Sequence, residues 1–159
     1  MRTTGGALYI GTSGWTYADW RRRFYPEDIA RKSWLAWYAK ELASTEINGS
    51  RYVFEFRHAS WYEAPILSLL RTHNVALCFS DHHEAPAPWT VTARHVYVRG
   101  HGPTGRYKGH YPDKTLQDWA ARIRAWRRQR RAVYVFFDND QKSAAPKDAK
   151  RHLSLLGQA

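Results

Sequence analysis

The chain has a single cysteine among its 159 residues, Cys78, which rules out an intrachain disulfide. Its setting, Val75-Ala76-Leu77-Cys78-Phe79, is apolar, with no base or helix start beside it. It therefore reads as a buried thiol and not as a nucleophile. No apolar run approaches the roughly 18 residues that a membrane span needs. The opening Met1-Arg2-Thr3-Thr4-Gly5-Gly6 carries neither an apolar signal core nor a cleavage site. Repeats, low-complexity tracts and Pro/Gly/Ser-rich linkers are also missing, so one domain spanning 1–159 is expected. These absences point to a reducing, cytoplasmic setting and away from a membrane partner. Acidic residues are scarce too, 14 against 25 lysines and arginines, which leaves a formal net charge of +11.

Aromatic residues are plentiful. They make up 15% of the chain, with 8 Trp and 10 Tyr, and this argues against disorder. The positive charge raises the alternative of a basic, nucleic-acid-associated protein, because such charge attracts polyanions without specifying them. Its placement matters more than its sum. Much of it lies at 21–23, at 147–151 and on Arg122, Arg124, Arg127, Arg128, Arg130 and Arg131. The middle group shares its segment with Trp119, Ile123 and Trp126, spaced by three and four, so a solvated outer helix face explains those arginines without a ligand.

Short β-type runs alternate with helical ones. Strands are expected at 8–12, 44–48, 52–57, 75–80, 95–100 and 132–137. Helices are expected at 34–42, capped by Ser33, at 63–72, at 113–128, capped by Asp113, and at 146–156 with Pro146 in the first turn. The alternation predicts βαβ units and a mostly parallel α/β sheet. One place breaks the plan. Only Gly49-Ser50-Arg51 separates the second and third strands, whereas a parallel crossover takes a dozen residues or more.

Several motifs resemble one family in family order. They are Tyr9-Ile10-Gly11-Thr12-Ser13-Gly14-Trp15 with Trp20 and Phe24-Tyr25-Pro26, Thr45-Glu46-Ile47-Asn48, Phe54-Glu55-Phe56-Arg57-His58 with Ser60-Trp61, Tyr97-Val98-Arg99-Gly100-His101-Gly102, and Tyr134-Val135-Phe136-Phe137-Asp138-Asn139-Asp140. Together they resemble the YecE-like family, domain of unknown function 72, over nearly the whole chain. The resemblance implies a TIM-type (β/α) barrel, shortened here to about six strands by an internal deletion of about two βα units near 49–51. At roughly 30 residues per unit, that loss exceeds about 60 residues. Strand number, tilt and shear are linked, so six strands do not close with the usual geometry. The sheet is then open, or completed by a second chain in a homodimer, or a segment of the natural protein is left out of this chain. The family supplies no established reaction.

In a parallel barrel, functional groups gather at the carboxyl ends of the strands. Polar residues recur there: Glu46 and Asn48 two apart, then Glu55 and Arg57 two apart with His58 next, then Asp81, Arg99 with His101, and Asp138 with Asn139. Charges beside buried apolar positions are costly unless paired. Ion pairs such as Glu55 with Arg57 or Arg99 are the plain reading of each, and a shared ligand site is the reading of the set. Glu46, Glu55, His58 and His101 are the candidate catalytic acids and bases. Asn48, Arg57, Asp81, Arg99, Asp138, Asn139 and Trp15 are the candidate ligand-binding residues, with the two arginines suited to a small anion. The turn Gly11-Thr12-Ser13-Gly14 fits no phosphate-loop pattern and reads as a tight turn. Ser13 has no histidine partner at useful spacing. Trp15, Tyr17 and Trp20 suit stacking on a sugar or base, or packing over the mouth. Asp81-His82-His83-Glu84 offers metal-type ligands, yet histidines in a proline-rich loop are expected to be solvent-exposed, so no metal is assigned and no cofactor is named. The segment 105–111 reads as a loop placed to cover the site.

Three functions compete: a barrel protein acting on a small anionic or sugar-like substrate, a nucleic-acid-associated basic protein, and a non-catalytic remnant of a longer barrel.

Overall fold

The computed structural model describes residues 5–14, 16–42, 44–45 and 51–157. In chain order the elements are β1 (Leu8–Thr12), α1 (Trp34–Glu41), β2 (Ser44–Thr45), β3 (Val53–Phe54), α2 (Ala64–Thr72), β4 (Ala76–Ser80), β5 (His95–Gly100), α3 (Asp113–Arg128), β6 (Ala132–Phe137) and α4 (Ala144–Leu155). The class is α/β, as the alternation predicted.

Every strand pairing is parallel, and the sheet order is β2-β1-β6-β5-β4-β3. The first strand therefore lies between the second and the last, and from β6 to β3 the strands follow in reverse chain order. Only β2 and β3 are edges, and no pairing joins them among the described residues. They are also the two strands with no crossover helix between them. Of the short link, Arg51 is described, while Gly49 and Ser50 lie outside the described residues.

Strand alternation separates the two faces. Val133, Val135 and Phe137 face the helices, where Phe137 meets Trp119 of α3 at 5.9 Å between ring centroids. Phe79 of β4 meets Trp126 of α3 at 5.3 Å on the same side. The opposite face carries Tyr9, Tyr97, Tyr134 and Phe136, with Tyr9 stacked on Tyr134 at 4.8 Å and Tyr97 against Phe136 at 5.3 Å. Strand β4 is buried throughout, as expected for a parallel strand covered on both faces. On α3, Leu116, Trp119, Ala120, Ile123 and Trp126 are buried at helical spacing.

Local expectations need three corrections. Strand β3 is two residues long, not six, because it has a single neighbour and pairs only with Ala76 and Leu77. Pro112, not Asp113, holds the cap position of α3, with the extended backbone that proline favours there. Asp113 is the first helical residue, where a negative charge suits the helix dipole, and its carboxylate accepts from Arg151. Ser33 stands at the start of α1 but makes no capping bond, since residues 31–33 already form a 3-10 turn.

Candidate functional site

The carboxyl ends of β4, β5 and β6, with the residues that follow β3, converge on one ionic cluster. Glu55 is its hub. Its Oε1 accepts from Ser80 Oγ at 2.8 Å, bonds His101 Nε2 at 2.7 Å and pairs with Arg57 Nη2 at 3.2 Å, while Oε2 accepts from Arg99 Nη1 at 3.0 Å. Asp138 Oδ2 extends the network, lying 3.2 Å from both Arg99 Nη2 and His101 Nδ1. Alternation accounts for the convergence: Arg99, two positions beyond Tyr97, and Asp138, two beyond Phe136, point to the face opposite the helices.

The cluster fixes its own charge states. Burial alone would push the Glu55 carboxyl up, but hydrogen bonds from His101 and Ser80 and the Arg99 charge hold it at about 2. Glu55 is thus held as a carboxylate at neutral pH, a state that suits a base or an ion-pair hub better than an acid. Burial likewise works against a charged His101, yet the Asp138 and Glu55 carboxylates beside it outweigh this and raise its pKa. The His101 side chain is fully buried and both ring nitrogens face carboxylates. Nε2 bonds Glu55, whereas Nδ1 lies 3.2 Å from Asp138 Oδ2 without a well-formed hydrogen bond.

Asp140, to which the sequence assigned no role, and Tyr17, expected only to stack or pack, form a second polar pair beside the cluster. Asp140 is raised to about 7, first by burial and then by the Asp138 carboxylate beside it. The Tyr17 hydroxyl hydrogen-bonds Asp140 and is itself raised, by burial and by that carboxyl. Trp20 holds the segment from below, its fully buried ring donating from Nε1 to the Asp140 carbonyl at 3.0 Å. Trp20 is therefore packing, not a stacking platform. The available signal was the Asp138-Asn139-Asp140 triplet, in which only the first two residues had been singled out.

A loop closes over one side. Tyr107 lies 4.8 Å from His101 and 5.8 Å from His82 between ring centroids, and its hydroxyl accepts from Arg57 Nη1 at 2.9 Å. The expected covering loop is accordingly folded against the cluster. His82 is buried, contrary to the expected solvent exposure, because it packs edge-on against His101 at 5.4 Å. Among the described residues no group of three His, Cys, Asp or Glu could hold a metal ion.

The remaining candidates are placed elsewhere or undescribed. His58 is exposed, bonds Ser60 and starts a 3-10 turn. Asp81 Oδ1 accepts from the His101 N–H at 2.6 Å and Oδ2 from the Tyr111 hydroxyl. Asn139 is buried and donates to the Gly109 carbonyl at 2.7 Å and to Asp148 at 2.8 Å, a structural role. Thr12 Oγ1 donates to the Gly14 carbonyl at 2.6 Å, so the first strand ends in a tight turn. Glu46, Asn48 and Trp15 lie outside the described residues.

Among known structures, the chain is similar to a DUF72 family protein from Thermotoga maritima MSB8, 16% identical over 95% of this chain and 99% of that one, with a TM-score of 0.83. It is also similar to a DUF72 family protein from Enterococcus faecalis V583, seen in two crystal structures. One is 18% identical over 97% of this chain and 61% of that one, the other 19% identical over 85% and 55%, each with a TM-score of 0.58. At these identities the likeness speaks to the fold alone. None of the curated proteins matches the chain. A family model described as a protein of unknown function, DUF72, matches residues 9–53 and 49–159, and with nearly all its length accounted for in this way, the chain belongs to the DUF72 family, also called YecE-like.

Proposed function

We propose that the chain is a single, shortened barrel-type domain that binds a small anionic or sugar-like ligand at the carboxyl ends of its strands. One observation carries this reading: side chains from four separate chain segments meet within 2.7–3.2 Å around Glu55. Glu55 and Asp138 neutralise two of the three cationic groups and hold Arg99 and His101 in place. Arg57 is the cation least spent on this network, with 43% of its side chain exposed at the rim. It and Arg99 would hold the anion, and a protonated Asp140 beside Tyr17 would donate a hydrogen bond or a proton to it. The strand order also supports a barrel that has lost two units, because the two unpaired edges are β2 and β3 and the two family matches meet at 49–53. Completion by a second chain belongs to the same reading.

Calorimetric titration with inorganic phosphate, a hexose and a hexose phosphate tests it. Arg57→Ala is expected to weaken binding of the anionic ligands at least tenfold. Its melting temperature should barely move, since half-exposed ion pairs contribute about 1 kcal/mol or less. Equal binding by Arg57→Ala and the parent protein, or no binding at all, would contradict the proposal.

A further inference from the structure

On the helix side of the sheet, separated from Glu55 by Ser80, which lines it and bonds Glu55 at 2.8 Å, a cavity opens between the segment after β4 and the first turns of α3. It encloses about 290 Å³, close to the lower end of small-molecule sites. Four aromatic rings form its walls. Trp89 and Trp119 meet edge to face at 6.2 Å and 71°, Tyr111 lies 5.0 Å from Trp119, and Phe79 lies 5.1 Å from Trp89. Three of these rings are buried, and Trp89 is partly exposed at 38%.

Polar groups are few, and they have one sign. Asp81 brings a carboxylate to the wall, held there by the Tyr111 hydroxyl and the His101 N–H, and Thr115 adds a hydroxyl. Among the described residues no lysine or arginine lines the cavity. The nearby Arg122 guanidinium lies over the Trp89 ring at 4.7 Å, so that indole already holds a cation. Ring faces carry negative potential, and an aromatic enclosure beside a carboxylate favours an organic cation over a neutral or anionic guest. Burial pushes the Asp81 carboxyl up, and a cation beside it would favour its charged form.

We propose that this cavity binds a small alkylammonium group, cradled by Trp89, Trp119 and Tyr111 and neutralised by Asp81. The site takes a group of opposite charge to the ligand proposed at Glu55, so the two readings stand or fall separately. Its size admits one compact cationic head and excludes a nucleotide or an oligosaccharide.

The test is calorimetric titration of the full chain with choline and with 3,3-dimethylbutan-1-ol, its neutral carbon isostere. A trimethyllysine peptide serves as a second cationic probe, which separates a free cation from one carried on a protein. Choline or the peptide should bind saturably, at least tenfold more tightly than the isostere. Trp89→Leu, at a partly exposed position, should keep the fold and lose at least tenfold in cation affinity. Asp81→Asn should lose as much, and if that variant does not fold, Trp89→Leu carries the test alone. Equal affinity for choline and its isostere, no saturable binding of any probe, or unaltered cation binding by Trp89→Leu would overturn the proposal.

Discussion

At the scale of single residues, Glu55 is the most constrained group in the cluster. Truncating it would leave Arg99 and His101 facing each other in a nearly dry setting. Glu55→Ala is therefore expected to cost about 3 kcal/mol, measured by urea unfolding at pH 7.5. His152 is expected to make the fold sensitive to acid. It is fully buried against Trp119 and Phe137, and neither ring nitrogen has a hydrogen-bond partner among the described residues. Burial holds it neutral down to about 4, whereas an unfolded histidine protonates near 6.5. Between those values the unfolded chain binds the extra proton, so stability falls as pH drops from about 6.5 toward 4. The His152 share of that loss should reach about 2 kcal/mol at pH 5, and His152→Phe should abolish this share in paired unfolding curves at pH 7.5 and 5. Asp140 bears on ligand binding with its own pH signature. Its protonation near 7 would remove a negative charge from the proposed anion site, so sulfate, whose own charge stays fixed, should bind more tightly at pH 6 than at pH 8. Asp140→Asn should flatten that dependence in calorimetric titrations. Residue type and position at the strand ends made Glu55, Arg57, Arg99 and Asp138 legible in the sequence. Asp140 was not legible, because its raised pKa comes first from burial, which depends on the whole fold, and only then from the Asp138 carboxylate two positions away.

At the scale of elements, the loop after β5 is the part most exposed to a single change. Gly105 has φ +68°, and a Cβ there would lie 2.4 Å from both the Asp81 carbonyl oxygen and the His83 nitrogen. Gly105→Ala is expected to cost more than about 1 kcal/mol and to lift the loop from the cluster. Faster amide exchange at Tyr107, whose N–H donates to the His101 carbonyl at 2.6 Å, would report the lifting. The arginines of α3 and the turn after it also look different in their contacts. Arg124 donates to the Leu155 carbonyl, Arg127 to that of Gly6 and Arg131 to that of Ala93, while Arg122 lies over Trp89. These bonds tie α3 to its neighbours and fix the guanidinium groups against the protein surface, although the acceptors are neutral and leave the charge in place. With the guanidinium groups so fixed, duplex DNA is expected to bind weakly, with a shallow dependence on salt, in a fluorescence-anisotropy titration. The buried stripe of α3 and the span of β5 were legible because both periodicities are strong there. The length of β3 was not, since its six-residue alternation says nothing of how many neighbours the strand will find.

At the scale of the whole molecule, the order β2-β1-β6-β5-β4-β3 puts at its two ends the strands that flank the one junction where the sequence has no room for a crossover. The short link excludes an ordinary crossover between these two strands but does not by itself place them at opposite edges of the sheet. That outcome depends on all the other pairings, above all the contact of β1 with β6. Beside the open edge formed by β3, Tyr52 and Phe54 are exposed. If a second chain completes the sheet, sedimentation equilibrium will return twice the 18.6 kDa chain mass, and a single-chain mass would limit the proposal to an open sheet. The central claim, that ionic groups from separate strands form one anion site, is tested most directly by NMR of the arginine guanidinium groups during a sulfate titration. The account predicts that the Arg57 and Arg99 signals move together and saturably while those of α3 stay still. Small, unsaturated shifts of every arginine alike would contradict it.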